Sequence, residues 1–346
     1  MQQDDVAAGP AGQWCDPGPM SWVRVAGSDA VRFVESFTTA SVGRVADGGG
    51  CEGFFTDVRG QVICMAGLLR CGGDAGGDAG GAAAAEQEPA VEIFADGDVG
   101  ASLAEHLERY HIREPIEIED VSAARSTRVV FGEAGLAAVA QRATDASTVT
   151  GLQQPFTHTA VTLASDDGTT VRTRLIRCDW GGDACWLVMC AKEDEATLEQ
   201  LLADAGLTKG DQARWNQTCI EAGTPRLHDL LPKTLPQELA RDARAICFTK
   251  GCYLGQETVA RLDALGHVNR RFMGLVVAGD AAPALGAEIA SDGEPIGQVS
   301  SSCFSPTLGK PVVLAILPVK SVAGDTRLTV GGVDASVVQL PVCGGE

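Results

Sequence analysis

The sequence predicts an α+β fold made of two similar halves followed by a small β-barrel. Three observations carry this reading. Strand, helix and hairpin patterns run in one order after Trp22 and recur after Thr127. From Phe272 onward only short β-type runs remain, separated by Gly and Pro, the pattern of a small barrel. Between these regions lies a loop-like stretch that contains a dense group of polar residues.

In the first half, residues 22–26 read as a strand and Gly27-Ser28-Asp29 as a turn and N-cap. Val31, Phe33, Val34 and Phe37 then follow at helical spacing. Residues 52–57 and 61–70 read as strands joined by the turn Val58-Arg59-Gly60. Residues 72–88 are Gly, Ala and acidic residues, too poor in large apolar groups to pack, and read as a long flexible hairpin loop. A strand at 91–94, a helix opened by the capping box Ser102 to Glu105, and a strand at 114–119 complete this half.

The second half repeats the order. A strand at 127–131 leads to a helix at 135–142. A hairpin spans 171–178 and 184–190, and a helix capped by Asp194 carries Leu198, Leu201 and Leu202 on one face. A short helix at 213–221 precedes the Pro-containing stretch. The expected divisions are a disordered leader at 1–20, a first unit at 21–122, a second unit at 123–269 and a barrel at 270–346.

Composition narrows the function. Forty-six acidic against 27 basic residues give a net charge of −19, which lacks the basic footprint of nucleic-acid binding and disfavours anionic membranes. No apolar run is long enough to span a bilayer. Residues 1–19 have neither a basic start nor an apolar core, so a cytoplasmic location is expected. None of the 12 cysteines forms a C-x-x-C pair, so most read as small buried hydrophobes and no metal site is expected.

The dense polar group is Lys250-Gly251-Cys252-Tyr253-Leu254-Gly255-Gln256-Glu257. Lys250 and Arg261 flank Cys252, and cationic neighbours favour thiolate. Residues 244–274 hold five cations, Arg244, Lys250, Arg261, Arg270 and Arg271, against two anions, Glu257 and Asp263. An acidic chain that gathers cations around one glycine-flanked loop is expected to bind an anion there. The bland alternative is a surface turn with an inert cysteine and ordinary surface ion pairs.

Lys-Gly-Cys-Tyr-x-Gly-Gln-Glu resembles the signature of the YgfZ-type folate-binding proteins, relatives of the glycine-cleavage T-protein, an aminomethyltransferase. Further elements follow in the family's order. They are Gly27-Ser28-Asp29-Ala30, Ile220-Glu221-Ala222-Gly223, Leu235-Pro236-Gln237-Glu238, and 297–306 with Ser300-Ser301 and Phe304-Ser305-Pro306. The resemblance implies two ferredoxin-like halves around a central hole that binds tetrahydrofolate. It implies that Glu221 takes the pterin amino and ring N–H groups, and that Trp215 stacks on the ligand. Trp22 lies two residues from the position of a second such tryptophan.

The same resemblance places the folate's anionic tail near Lys250, Arg261, Arg270 and Arg271, and Tyr253, Gln256 and Glu257 in the binding loop. It makes Cys252 the reactive group and iron–sulfur client or assembly proteins the partners. Two departures separate this chain from true T-proteins. The acidic pair after the first hairpin glycine is replaced by Gln61-Val62, and Cys252-Tyr253-Leu254-Gly255 stands where they have Asp-Phe-x-Gly. The leading expectation is a tetrahydrofolate-binding protein that supports iron–sulfur enzymes. The alternatives are an aminomethyltransferase with a rearranged acid, or a folate-dependent scaffold without catalysis.

Overall fold

The structure, a computed structural model, describes residues 12–72, 88–182, 185–323 and 326–342. Most of the long loop expected at 72–88 therefore lies outside the described residues. The chain opens with β1 (Gln13–Cys15) and β2 (Met20–Ala26), then α1 (Ala30–Glu35). The hairpin β3 (Gly50–Thr56) and β4 (Val62–Cys71) is followed by β5 (Ala90–Asp96), α2 (Gly100–Glu108) and β6 (Glu117–Asp120). The second half contains β7 (Arg125–Phe131), α3 (Gly132–Arg142), α4 (Ala146–Thr150), β8 (His158–Ala164), β9 (Thr170–Arg177) and β10 (Cys185–Ala191). It ends with α5 (Glu195–Asp204), β11 (Thr208–Lys209) and α6 (Gln212–Ala222).

The two sheets repeat one order, β3-β4-β5-β2 in the first and β8-β9-β10-β7 in the second. At the free edge of β2 the first sheet adds its own β6, with Val23 opposite Asp120. At the free edge of β7 the second sheet instead takes β1, with Gln13 opposite Phe131. This corrects the expected leader. Trp14 and Cys15 are buried, so from residue 12 the N-terminal segment serves as a strand of the second half. Two apolar residues beside a turn-rich stretch are too short a signal for a strand that pairs with residues over 100 positions away.

A connecting segment with α7 (Asp242–Ala245) and α8 (Gln256–Leu265) leads to the C-terminal sheet. Its strands are β12 (Arg270–Val277), β13 (Glu288–Ser291), β14 (Glu294–Gln298), β15 (Ser301–Ser305), β16 (Lys310–Pro318), β17 (Leu328–Val330) and β18 (Val333–Val338). Their order is β14-β13-β17-β18-β12-β16-β15. The strand-rich region begins at Arg270.

One apolar cluster joins all three parts, from Trp22 and Phe94 through Trp180 and Trp215 to Phe272 and Leu314. Trp22 and Phe94 lie 5.2 Å apart between ring centroids, and Phe94 and Trp180 5.0 Å. Beside these rings Glu92 of the first half accepts two hydrogen bonds from Arg125, at 2.7 and 2.9 Å. Arg174 lies 3.4 Å from the same carboxylate and also donates to His158 Nδ1 at 2.9 Å. Burial opposes the charge on Glu92, but the hydrogen bonds and charge of Arg125, with Arg174, hold its carboxyl at about 2. Burial first, then Arg174, pushes the His158 imidazole down to about 4.

Both groups bind protons more readily in the unfolded chain. His158 therefore contributes stability that is complete above its ordinary value of 6.5 and is lost as pH falls toward 4. Glu92 adds a second loss between its ordinary 4.5 and about 2. Urea midpoints should fall steadily from pH 7 to pH 4, and His158→Gln should flatten that slope; an unchanged slope would remove His158 as its cause.

A second expectation concerns two facing glycines. Gly255, at φ +82, would place a Cβ 2.6 Å from the Asp57 carbonyl oxygen and 2.7 Å from Gly60 Cα. Gly255→Ala should cost about 2–3 kcal/mol, from left-handed strain and backbone overlap, measured by urea unfolding.

Candidate functional site

The polar motif at 250–257 is the key by which the connecting segment locks onto the first half. The Lys250 ammonium is 1 % exposed. It donates to the carbonyls of Glu35 at 2.7 Å and Thr38 at 2.8 Å, and to that of Ala40. These are carbonyls at and beyond the end of α1, where helical partners run out and a cation is favoured. Burial lowers the Lys250 pKa, and the nearby Glu35 carboxylate works against that fall.

Tyr253 is buried, with the ammonium 5.2 Å above its ring. Burial, then Cys247, pushes its phenol up to about 12. Leu254 N–H donates to Ser36, and its carbonyl accepts from Thr56 Oγ1 at 2.7 Å. Cys252, Glu257 and Arg261 face solvent, and Gln256 is half-buried at the start of α8.

A separate cavity of 940 Å³ opens where α6, the β9–β10 hairpin tip, the connecting segment and the C-terminal sheet meet. Helix α6 starts under the Asp211 side chain, which accepts from Arg214 N–H, and stops at Gly223 with φ 68. This stop leaves Glu221 in the last turn, facing the cavity, with its residue 5 % exposed. Its carboxylate accepts from the Ser305 hydroxyl and, at 3.4 Å, from Gln217.

Among the described residues no cation pairs with Glu221. The buried Glu52, Glu92 and Glu238 are each held by arginine, Arg241, Arg125 and Arg270 respectively. A buried carboxylate at the negative end of a helix is costly without such a partner.

Cations ring the rest of the cavity. Arg271 is exposed on its wall, whereas Arg270, on the opposite face of β12, is fastened to Glu238 by two bonds of 2.9 Å. Arg214 lies with its guanidinium 5.6 Å from the Phe131 ring centroid, and its Nε has no partner among the described residues. Arg244 pairs with Asp179, and Arg241 with Glu52. The arrangement suits a ligand with N–H donors at one end and negative charge at another.

The site residues expected from sequence divide sharply. Glu221 lines the cavity, and so does Arg271 of the expected tail-binding cations. Cys252, Lys250, Tyr253, Gln256, Glu257, Arg261 and Arg270 do not. Trp215, 1 % exposed, packs below the hairpin tip with its ring 6.5 Å from that of Phe131. Trp22 is enclosed between Phe94 and Arg125, and its indole donates to Thr127 Oγ1 at 3.1 Å. Neither tryptophan is available to stack on a ligand in the cavity, because each is a core side chain covered on its faces. Asp179, Arg214 and Gln217 line the cavity without having been singled out. The periodic signal was present for Gln217, four residues before Glu221 on one helix face.

The chain is similar to known proteins in sequence and in fold. Residues 270–343 match the glycine cleavage T-protein C-terminal barrel domain. The chain is 40 % identical over 96 residues to the tRNA-modifying protein YgfZ of Aliivibrio fischeri, covering 27 % of this chain and 29 % of that protein. It is 30 % identical over 166 residues to an aminomethyltransferase of Nostoc, covering 48 % of this chain and 43 % of the relative. A putative chloroplastic transferase of Arabidopsis thaliana is 24 % identical over 81 % of this chain and 59 % of its own length.

These matches thus span from under a third to about three-fifths of the relatives' lengths. Among solved structures, the glycine cleavage aminomethyltransferase T of Bartonella henselae superposes with a TM-score of 0.75. It covers 96 % of this chain and 86 % of its own at 19 % identity, a likeness of fold. By motif, matched segments and fold, the chain is related to the YgfZ-type proteins and to the glycine-cleavage aminomethyltransferases.

Proposed function

We propose that this is a cytosolic folate-binding protein that holds tetrahydrofolate in the 940 Å³ cavity and supports the assembly or repair of iron–sulfur enzymes. The two repeated sheets are read as the ferredoxin-like halves around the folate hole. The observation that carries the reading is Glu221, a buried carboxylate without a cation on the cavity wall. Its two oxygens match the adjacent amino and ring N–H donors of a pterin, a bidentate pairing. Arg271, which has no ion pair among the described residues, is suited with Arg214 to the carboxylates of the glutamate tail.

Cys252 lies outside this pocket, on an exposed loop whose neighbours are fixed to the first half. The reading therefore gives it work on a partner protein, by thiol exchange or contact with a cluster in transit, rather than chemistry on the pterin. Aminomethyl transfer is the weaker alternative, because Gln61 stands where the resemblance calls for an acid. Release of methylene-tetrahydrofolate from an aminomethyl-lipoyl carrier would establish it.

Glu221→Ala should weaken tetrahydrofolate binding by at least tenfold in anaerobic calorimetry, the loss of a charged hydrogen-bond acceptor. Binding within twofold of wild type would end the assignment of Glu221. Cys252→Ala should leave folate affinity and the melting temperature unchanged while iron–sulfur enzyme activities fall in cells that depend on this protein. Full complementation by that variant would dismiss the reactive thiol.

A further inference from the structure

The connecting segment carries two thiols close together in the chain and in different settings. Cys252 is exposed, and Cys247 is half-buried. Lys250 does not serve Cys252, because its ammonium is 1 % exposed and spent on carbonyls of the first half. The thiol that receives a cation is Cys247. Arg44, in the loop after α1, donates from Nη1 to Cys247 Sγ at 3.4 Å and to Thr249 Oγ1 at 2.9 Å, and from Nη2 to the Thr249 carbonyl at 2.8 Å. A guanidinium aimed at sulfur stabilises the negative charge which that atom carries in attack or departure.

The loop that bears both thiols closes on itself. Cys247 N–H donates to the Thr39 carbonyl and Leu254 N–H to that of Ser36, each at 2.9 Å, so its two ends are tied to neighbouring residues just beyond α1. Between these ties, among the described residues, no N–H group of 248–253 donates to a backbone carbonyl. A Cβ on Gly251 would meet nothing within 4 Å, so no neighbour blocks a swing of the adjoining Cys252. A disulfide needs its two Cα atoms within about 7 Å, a span that a loop with joined ends can reach. Cys51 is a third thiol of this neighbourhood, but burial, then the Glu35 carboxylate, pushes it up to about 12, so it stays protonated and competes poorly.

Resting on the exchange role given to Cys252, we propose that Cys247 is its resolving thiol, positioned by Arg44, and that the pair reduces disulfides on a partner protein. The exposed sulfur of Cys252 attacks the partner's disulfide. A Cys252–partner bond forms, and the partner's other sulfur leaves and takes up the proton that Cys252 gave up. Cys247 sulfur then attacks Cys252 sulfur. The Cys247–Cys252 bond forms, the Cys252–partner bond breaks, and the partner departs as a dithiol with the proton from Cys247. The partner gains two electrons and this chain loses two. The division of labour follows from access: an exposed thiol meets outside sulfurs, and a sheltered one attacks only within its own chain.

The test treats the full chain, reduced and freed of reductant, with one equivalent of the aromatic disulfide dithiobis(nitrobenzoate). Wild type should release two coloured thiolates per chain, and mass mapping should find Cys247 joined to Cys252 with no aryl group retained. Cys247→Ser should release one and keep the aryl group on Cys252. Arg44→Gln should keep the first release within threefold of wild type and slow the second at least tenfold, a split that a general loss of structure would not produce.

A wild-type chain that retains the aryl group on Cys252, or that links either thiol to Cys51, overturns the proposal. An unchanged second release in Arg44→Gln overturns the role of Arg44. If Cys252 of wild type does not react, the exchange reading itself fails and this inference with it, whereas tetrahydrofolate binding is measured separately and stands or falls by Glu221. Should Cys247→Ser melt early, Cys247→Ala takes its place, and the wild-type mass map needs no variant.

Discussion

One buried ion pair holds the cavity together. Glu52 on β3 is 1 % exposed and Arg241 in the connecting segment 5 %. The carboxylate accepts from Arg241 Nε at 2.5 Å and Nη2 at 2.6 Å, and from the Trp180 indole at 2.9 Å. First half, connecting segment and second-half hairpin thus meet at two oxygen atoms. Removing one member of such a set strands a buried charge, at a cost of about 3–5 kcal/mol. The remaining guanidinium nitrogen of Arg241, Nη1, reaches Thr224 Oγ1 at 3.4 Å, next to the end of α6. The position of Glu221 is therefore coupled to the pair that joins the halves.

The polar motif has a similar logic on the other side of the connecting segment. Its glycines and its lysine are explained by contact with the first half. Gly255 faces Gly60 because two backbones approach there, and Lys250 ends among carbonyls at and beyond the end of α1. A high density of polar groups had read as a ligand site. Much of it is an internal joint, in which buried polar groups satisfy one another. What the joint leaves over is the exposed Cys252, presented on a loop whose flanks cannot shift easily.

Among the described residues, arginine pairs with the buried Glu52, Glu92, Glu238 and Asp179, whereas Asp229 and Glu221 are held by serine hydroxyls. The arginines at Glu52, Glu92 and Glu238 neutralise acids that burial would otherwise penalise. Glu221, held by Ser305 and Gln217, has no such arginine among the described residues and borders the cavity. Arg271 and Arg270 show the matching split among the cations. Adjacent residues on a strand point to opposite faces, so one is spent on Glu238 and its neighbour is left for the cavity.

The sequence by itself pointed to the class of fold, the repeated order of the two halves and a C-terminal barrel. Each of these is local, written in periodicity, caps, turn residues or a contiguous motif. It did not determine that Gln13–Cys15 would complete the second sheet, because strand pairing across more than 100 positions leaves no local mark. Nor did it separate Trp215 and Trp22, both core, from ligand-stacking aromatics, since an indole reads alike in either setting. Only the tertiary structure decided which charges are neutralised. Pairing depends on distances between elements remote in the chain, and among the described residues those distances leave Glu221 on the cavity wall without an arginine while closing Lys250 and Arg270 away from it.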